Sequence, residues 1–357
     1  MGAKRVFLVT GKKSYSVCGA EAGLGEVLKD YEVTHFFDFQ VNPKIEDIER
    51  GIELFKGADC DAVIAVGGGS VMDTAKAINY FSFNSMTLAG HEIVAAVPGG
   101  KVKPMIAVPT TVGSGSEATQ FSVLYVDQQK QGVSKPEMLP DVVVIDGDLL
   151  MSLPKKITAA TGLDALAQGI ESYWSIFSTD ESKGYAVEAI ELAVANLSDS
   201  VNRPTGENML AMAKSANIGG KAINITRTTA CHAVSYPMTS FFDIAHGQAV
   251  GITVSSMLKY NADVTDGDVL DERGCDYVRG VIAEISRLVG GKDVTEAAGI
   301  FDALVENIGL ETKLSGLGLK REDIETVIKY GFNPDRVKNN PRLLTEESLR
   351  DILERIY

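Results

Sequence analysis

A chain of 357 residues exceeds one ordinary core, so about two domains are expected. Its 45% hydrophobic and 23% charged residues match an average folded protein and exclude a disordered or fibrous chain. A formal charge of −14 without any basic block argues against nucleic acid as a partner, and no apolar run approaches the ~20 residues of a membrane helix.

From the start, the segment MGAKRVFLVT leads directly into a strand with no export-signal pattern. Short β-branched runs then recur at 5–10, 33–37, 62–66, 105–108 and 142–145, separated by amphipathic stretches, the texture of successive βα units and a parallel sheet. A hairpin or edge pair is predicted at 121–126. After Leu153 and Pro154 the texture changes to long helical periods at 159–174, 185–197, 208–223 and 277–288. The boundary is therefore placed in 147–154, giving domains 1–153 and 154–357. Cys18, Cys60, Cys231 and Cys275 are widely spaced with no CxxC pair, which reads as reduced thiols and predicts a cytoplasmic protein.

Within DAVIAVGGGSVMDTAKAI, Gly67, Gly68, Gly69 and Ser70 lie between a buried strand and a helix. Residues without Cβ let backbone N–H groups approach a diphosphate, and a helix start favours negative charge; a plain tight turn is the other reading. The segment is not the GxGxxG dinucleotide fingerprint, and the first βα turn lacks that fingerprint too. In PMIAVPTTVGSGSEAT, the small and hydroxyl residues Thr110, Thr111, Gly113, Ser114, Gly115 and Ser116 again follow a strand, suiting either a ribose or phosphate edge or a surface loop. Asp73 alone reads as a first-turn helix acid and Lys130 as a solvated charge. Of the four histidines, His35, His91, His232 and His246, the last two are fourteen residues apart. Asp164 and Gln168 are one helical turn apart and share a face.

Together, GGGSVMDTAK and PTTVGSGSEAT closely resemble the paired signatures of the iron-containing (group III) alcohol dehydrogenases, and the resemblance extends over nearly the whole chain. It implies a dehydroquinate-synthase-like architecture: an α/β Rossmann-like domain followed by an all-α domain. It also implies NAD or NADP contacted by Gly67, Gly68, Ser70, Thr110, Thr111, Ser116 and Lys130, with Asp73 near the nicotinamide, and a homodimer. Asp38, just after the run 33–37, is placed to accept from ribose hydroxyls and favours NAD over NADP, although its loop DFQVNP is one residue shorter than the usual family form. By the same resemblance, Asp164, His232 and His246 match ligands of a divalent metal, Fe2+ or Zn2+. Gln168 stands where relatives carry a histidine and is a weaker ligand. Tyr236 stands where many relatives carry a histidine beside the reacting carbon; a phenol there is a hydrogen-bond donor, and packing on Pro237 is the alternative.

Gln168, Tyr236 and the tail NPDRVKNNPRLLTEE resemble the branch that includes phosphonoacetaldehyde reductases, which implies metal-assisted hydride transfer to phosphonoacetaldehyde, giving 2-hydroxyethylphosphonate. An anionic substrate calls for local cations, with Arg227, Arg336, Lys338 and Arg342 as candidates against their reading as surface charges. The alternatives are a broad-range alcohol or diol dehydrogenase, a dehydroquinate-synthase-like lyase that recycles NAD, and a nucleotide-binding protein that has lost its metal.

Overall fold

The computed structural model describes residues 2–89, 92–95, 101–127, 129–332 and 337–357, with the backbone alone at 94 and 95. His91 and Arg336 lie outside the described residues. The chain divides into two compact units, Met1–Leu153 and Pro154–Tyr357.

In the first unit, strands β1 (Arg5–Thr10), β2 (Glu32–Phe36), β3 (Ala62–Gly67), β6 (Met105–Pro109) and β9 (Val142–Val143) form a sheet ordered β2-β1-β3-β6-β9. Every pairing in it is parallel. Such a sheet is covered on both faces, and β1 shows why its sequence is nearly continuous in apolar residues. Its odd residues Phe7 and Val9 enter a core with Ile48, Phe55 and Ile78, from α3 (Ile45–Gly57) and α4 (Gly69–Phe81). Its even residues Val6 and Leu8 enter a second core with Tyr15, Ala20 and Leu28, from α1 (Ser14–Val17) and α2 (Ala20–Leu28). The chain leaves β1 to build β2 on one side and β3 on the other, so the carboxyl ends of β1 and β3 form a topological switch point, where open α/β sheets bind ligands.

Two antiparallel pairs complete the unit. The expected hairpin is β7 (Phe121–Val126) with β8 (Gln129–Ser134). The pair β4 (Met86–Ala89) with β5 (Glu92–Ala95) was not expected, because β4 is mostly exposed and lacks apolar alternation. The strand expected over 142–145 pairs only through Val142 and Val143.

The second unit is helical, as the resemblance implies. Its core helix is α5 (Lys155–Trp174), in which every residue from 162 to 174 is buried. It packs against α6 (Asp180–Asn202), α7 (Gly206–Thr226), α9 (His246–Ala262) and α10 (Cys275–Val289). Being covered on all sides explains both its weak amphipathicity and its small residues, since Gly162 faces Leu197 and Met212 while Gly169 faces Ile190. Helix α6 begins five residues before the expected start because Thr179 and Ser182 form a reciprocal capping box there. The unit also contains α8 (Ala230–Phe242), α11 (Val294–Asn307), α12 (Ile324–Gly331) and α13 (Glu346–Arg355). Among the described residues no helix is long and apolar enough to cross a membrane.

One candidate cation has a structural role instead. Arg342 donates from Nε to Asp268 (2.7 Å) and from Nη1 to the Tyr260 carbonyl (2.6 Å), and it lies over the Tyr260 ring. It staples the tail to the 260–268 segment, so we correct its assignment as a substrate cation.

Candidate active site

The first unit presents two adjoining loops at the carboxyl ends of β3 and β6. Gly67 pairs with Pro109 in the sheet, and the Thr110 N–H donates to the Gly67 carbonyl at 2.9 Å. The glycines are required by crowding. A Cβ on Gly67 would lie 2.3 Å from Val71 Cγ2, one on Gly68 would lie 2.8 Å from Thr111 Cγ2, and one on Gly69 would lie 3.0 Å from Ser114. The turn is thus pressed against both α4 and the 110–116 loop, leaving backbone at the surface where α4 begins. The Ser70 hydroxyl accepts from the Asn42 N–H at 3.2 Å.

Asp73 lies one turn into α4 and is tightly engaged. It accepts from Ser116 Oγ at 2.6 Å, its carbonyl accepts from Ser122 Oγ at 2.9 Å, and Lys76 Nζ lies 3.5 Å away. Tyr125 of β7 is pushed up to about 12, by burial first and then by Asp73. Lys130 of β8 is opposite Tyr125 in the hairpin. Lys76 escaped the sequence reading, which takes lysine as solvated. Fully buried, it donates to the carbonyls of Ser116 (2.8 Å), Thr119 (3.3 Å) and Phe121, binding the 116–121 segment onto α4. Burial lowers its pKa against the pull of Asp73 and Glu117. The signal available in sequence was a single charge, Lys76, within the otherwise uncharged stretch 74–81 of a helix that proves buried from Val71 to Phe81 apart from Asp73.

Asp38 lies beyond the end of β2 and is exposed, with Lys12 Nζ 3.4 Å from its Oδ1. The Arg50 guanidinium donates to the Asp38 carbonyl at 2.7 Å.

The second unit brings together residues far apart in sequence. Asp164, His232 and His246 offer one ligand atom each, all within 4.8 Å of one another. Asp164 and His232 are buried, with His232 Nε2 3.2 Å from Asp164 Oδ1. Asp164 comes from the middle of α5, His232 from the first turn of α8, and His246 from the first residue of α9. A left-handed turn at Asp243 (φ 54) ends α8 and redirects the chain. One carboxylate and two imidazoles within this span fit Fe2+ or Zn2+ in donor type and number. Gln168 joins them from the next turn of α5, donating from Nε2 to Asp164 Oδ2 at 3.3 Å. Burial would lower the His232 pKa, but Glu171 and Asp164 on either side more than offset this and hold it at about 9. Ser235 Oγ lies 3.4 Å from His246 Nδ1 and donates to the His232 carbonyl. The Tyr236 ring stacks near-parallel on His246, centroids 6.3 Å apart. Glu171, buried against His232, was missed, although 164, 168 and 171 fall on one helical face.

Residues 1–147 match the family description "Iron-containing alcohol dehydrogenase" and residues 158–357 match "Fe-containing alcohol dehydrogenase family, C-terminal". The chain belongs to the iron-containing alcohol dehydrogenase family. A phosphonoacetaldehyde reductase of Streptomyces viridochromogenes is 35% identical over 82% of this chain and 75% of its own length. An NAD-dependent methanol dehydrogenase of Bacillus methanolicus is 28% identical over 99% and 92% respectively. Among solved structures, a sulfoacetaldehyde reductase from Bifidobacterium kashiwanohense in complex with NAD+ superposes with a TM-score of 0.84 at 30% identity, covering 100% of this chain and 92% of the other. As a member of the iron-containing alcohol dehydrogenase family, the chain is an NAD(P)-dependent oxidoreductase acting on CH–OH groups.

Gln168 offers a direct test of the donor set. Gln168→His replaces a neutral amide by an imidazole one turn from Asp164 and is expected to tighten zinc binding about tenfold or more. Chelator competition reads this, and unchanged or weaker affinity would mean that residue 168 does not face the ion.

Proposed function

We propose that the chain reduces phosphonoacetaldehyde to 2-hydroxyethylphosphonate with NAD(P)H. The observation that carries the reading as a metal-assisted reductase is the cluster of buried Asp164 and His232 with half-buried His246, a donor set with no need to converge in a merely structural core. When bound, the nicotinamide supplies the hydride and the divalent ion polarises the carbonyl oxygen. The protein's own part is to position. The 67–70 turn and the start of α4 offer N–H groups to the diphosphate, while Thr110, Thr111, Ser116 and Lys130 border the dinucleotide. Asp73 and Lys76 hold the 116–121 segment in place. Asp164, His232, His246 and Gln168 hold the ion, and Tyr236 donates its hydroxyl proton in a hydrogen bond to the substrate oxygen as negative charge develops there. Asp38 supports NAD, whereas Lys12 beside it offers a partner for a 2′-phosphate, so both cofactors belong to the proposal.

The substrate assignment draws support from the similarity to an enzyme named for phosphonoacetaldehyde and from two exposed cations, Arg227 and Lys338. Arg227 is held at φ 59 and ψ 178, a conformation that costs a non-glycine residue about 1–3 kcal/mol and is retained where the surroundings impose it. The next residue's carbonyl, that of Thr228, accepts from Asn339 Nδ2 at 3.1 Å, which brings the neighbours of both cations to one junction four residues before His232. Arg227→Ala is expected to raise KM for phosphonoacetaldehyde about tenfold or more, the scale of a lost charge-assisted hydrogen bond, and to leave KM for propanal unchanged. Equal effects on both aldehydes would remove Arg227 from substrate recognition. A second reading, a broad-range alcohol dehydrogenase, draws on the similarity to the methanol dehydrogenase. Simple C2–C4 aldehydes turned over as efficiently as the phosphonate would favour it. We place the enzyme in the cytoplasm, consistent with its four free cysteines, and, by the family resemblance, as a homodimer.

A further inference from the structure

We propose that Glu171 is the positioning residue that sets which nitrogen of His232 faces the metal, an inference that rests on the metal-site reading above. Glu171 is fully buried on α5, one turn beyond Gln168. Its Oε1 accepts from Thr229 Oγ1 (2.8 Å), the Cys231 N–H (2.8 Å) and the His232 N–H (3.3 Å), and its Oε2 faces His232 Nδ1. Thr229 in turn accepts from the indole N–H of Trp174, the chain's single tryptophan, at 2.8 Å.

An ionised carboxylate only accepts hydrogen bonds, so every group turned toward it must donate. Nδ1 therefore keeps its proton, and Nε2, on the Asp164 side of the ring, is the nitrogen that can bind an ion, which takes the place of the proton Nε2 directs at Asp164 Oδ1. The carboxylate also makes the imidazole a stronger donor to that ion. An amide at 171 cannot satisfy this arrangement. With its NH2 toward Nδ1, the ring would have to accept there and place its proton on Nε2. With its NH2 toward α8, it would meet the N–H groups of Cys231 and His232 and the Thr229 hydroxyl. Either way the ligand nitrogen is compromised while the volume is unchanged.

A simple helix-capping role for Glu171 predicts something different, namely lost stability without a specific loss of metal affinity. The test compares zinc affinity by chelator competition, melting temperature, and side-chain 15N spectra of 15N-histidine-labelled, zinc-loaded protein for wild type, Glu171→Gln and Thr229→Val. We expect Glu171→Gln to bind zinc about 10–100-fold more weakly than wild type, while Thr229→Val, which removes a donor from Oε1 but leaves Nδ1 its partner, melts lower yet binds within about twofold of wild type. The wild-type spectrum should show His232 protonated at Nδ1 and ligated through Nε2. Unchanged affinity in Glu171→Gln overturns the proposal, as does a parallel loss in both variants that follows melting temperature. Wild-type protein that binds no zinc would overturn the metal-site reading itself, and the inference with it. Should Glu171→Gln not fold, Glu171→Asp, charged but too short to reach both partners, is decided by the same two affinities.

Discussion

Gly247→Ala should unfold the protein at markedly lower urea concentration and leave it without bound metal. A Cβ at position 247 would lie 1.8 Å from the Ala160 carbonyl oxygen, 2.7 Å from its carbon and 3.0 Å from Asp164 Cβ. All three atoms belong to α5, whose residues here are enclosed by neighbouring helices, so no flexible side-chain end is available to give way. The first turn of α9 must then withdraw from α5. Overpacking of this kind costs about 3 kcal/mol, at the upper end of its usual range. The residue before Gly247 is His246 and the atom crowded on α5 belongs to Asp164, so the same displacement separates two of the three candidate ligands. A urea midpoint and zinc content equal to those of wild type would refute the close approach of these helices.

His246→Ala is the cleaner disruption, since it removes an imidazole and leaves the helix contact intact. The expected result is a fall in metal-stimulated turnover of about 10³-fold, or ~4 kcal/mol of lost transition-state stabilisation, with NADH affinity preserved. The separation follows from organisation. His246 belongs to the unit 154–357, whereas the 67–70 turn and the 110–116 loop are built within 1–153 and do not depend on it. Turnover and NADH titration on the same preparation give both readouts. Metal stimulation retained in the variant would strip His246 of its ligand role.

The parallel sheet was legible because each central strand is buried on both faces, leaving runs such as RVFLVT and AVIAVG that mean the same thing in any α/β fold. Pair β4–β5 was not, since its exposed residues carry no alternation to read. In the candidate site, the glycine turn could be located from composition, but the reason for Gly68 and Gly69, with Thr111 and Ser114 within 3.0 Å of an added Cβ, depends on a second loop about forty residues away. Buried charge was the hardest feature to see. Lys76 and Glu171 look like surface residues until their partners at 116–121 and 229–232 arrive through tertiary folding. The reverse error arose at Arg342, whose partners Asp268 and Tyr260 lie more than seventy residues earlier. Spacing alone left His232 and His246 ambiguous; the turn at Asp243 and the packing of Gly247 on Ala160 are what bring both beside Asp164.

The measurement closest to the centre of this account is NADH oxidation with phosphonoacetaldehyde by chelator-stripped protein, before and after addition of Fe2+ or Zn2+. Stripped protein is expected to show no turnover and to recover it on addition of the ion in wild type but not in His246→Ala. Equal rates with and without metal, or NADH oxidation that His246→Ala leaves untouched, would contradict it.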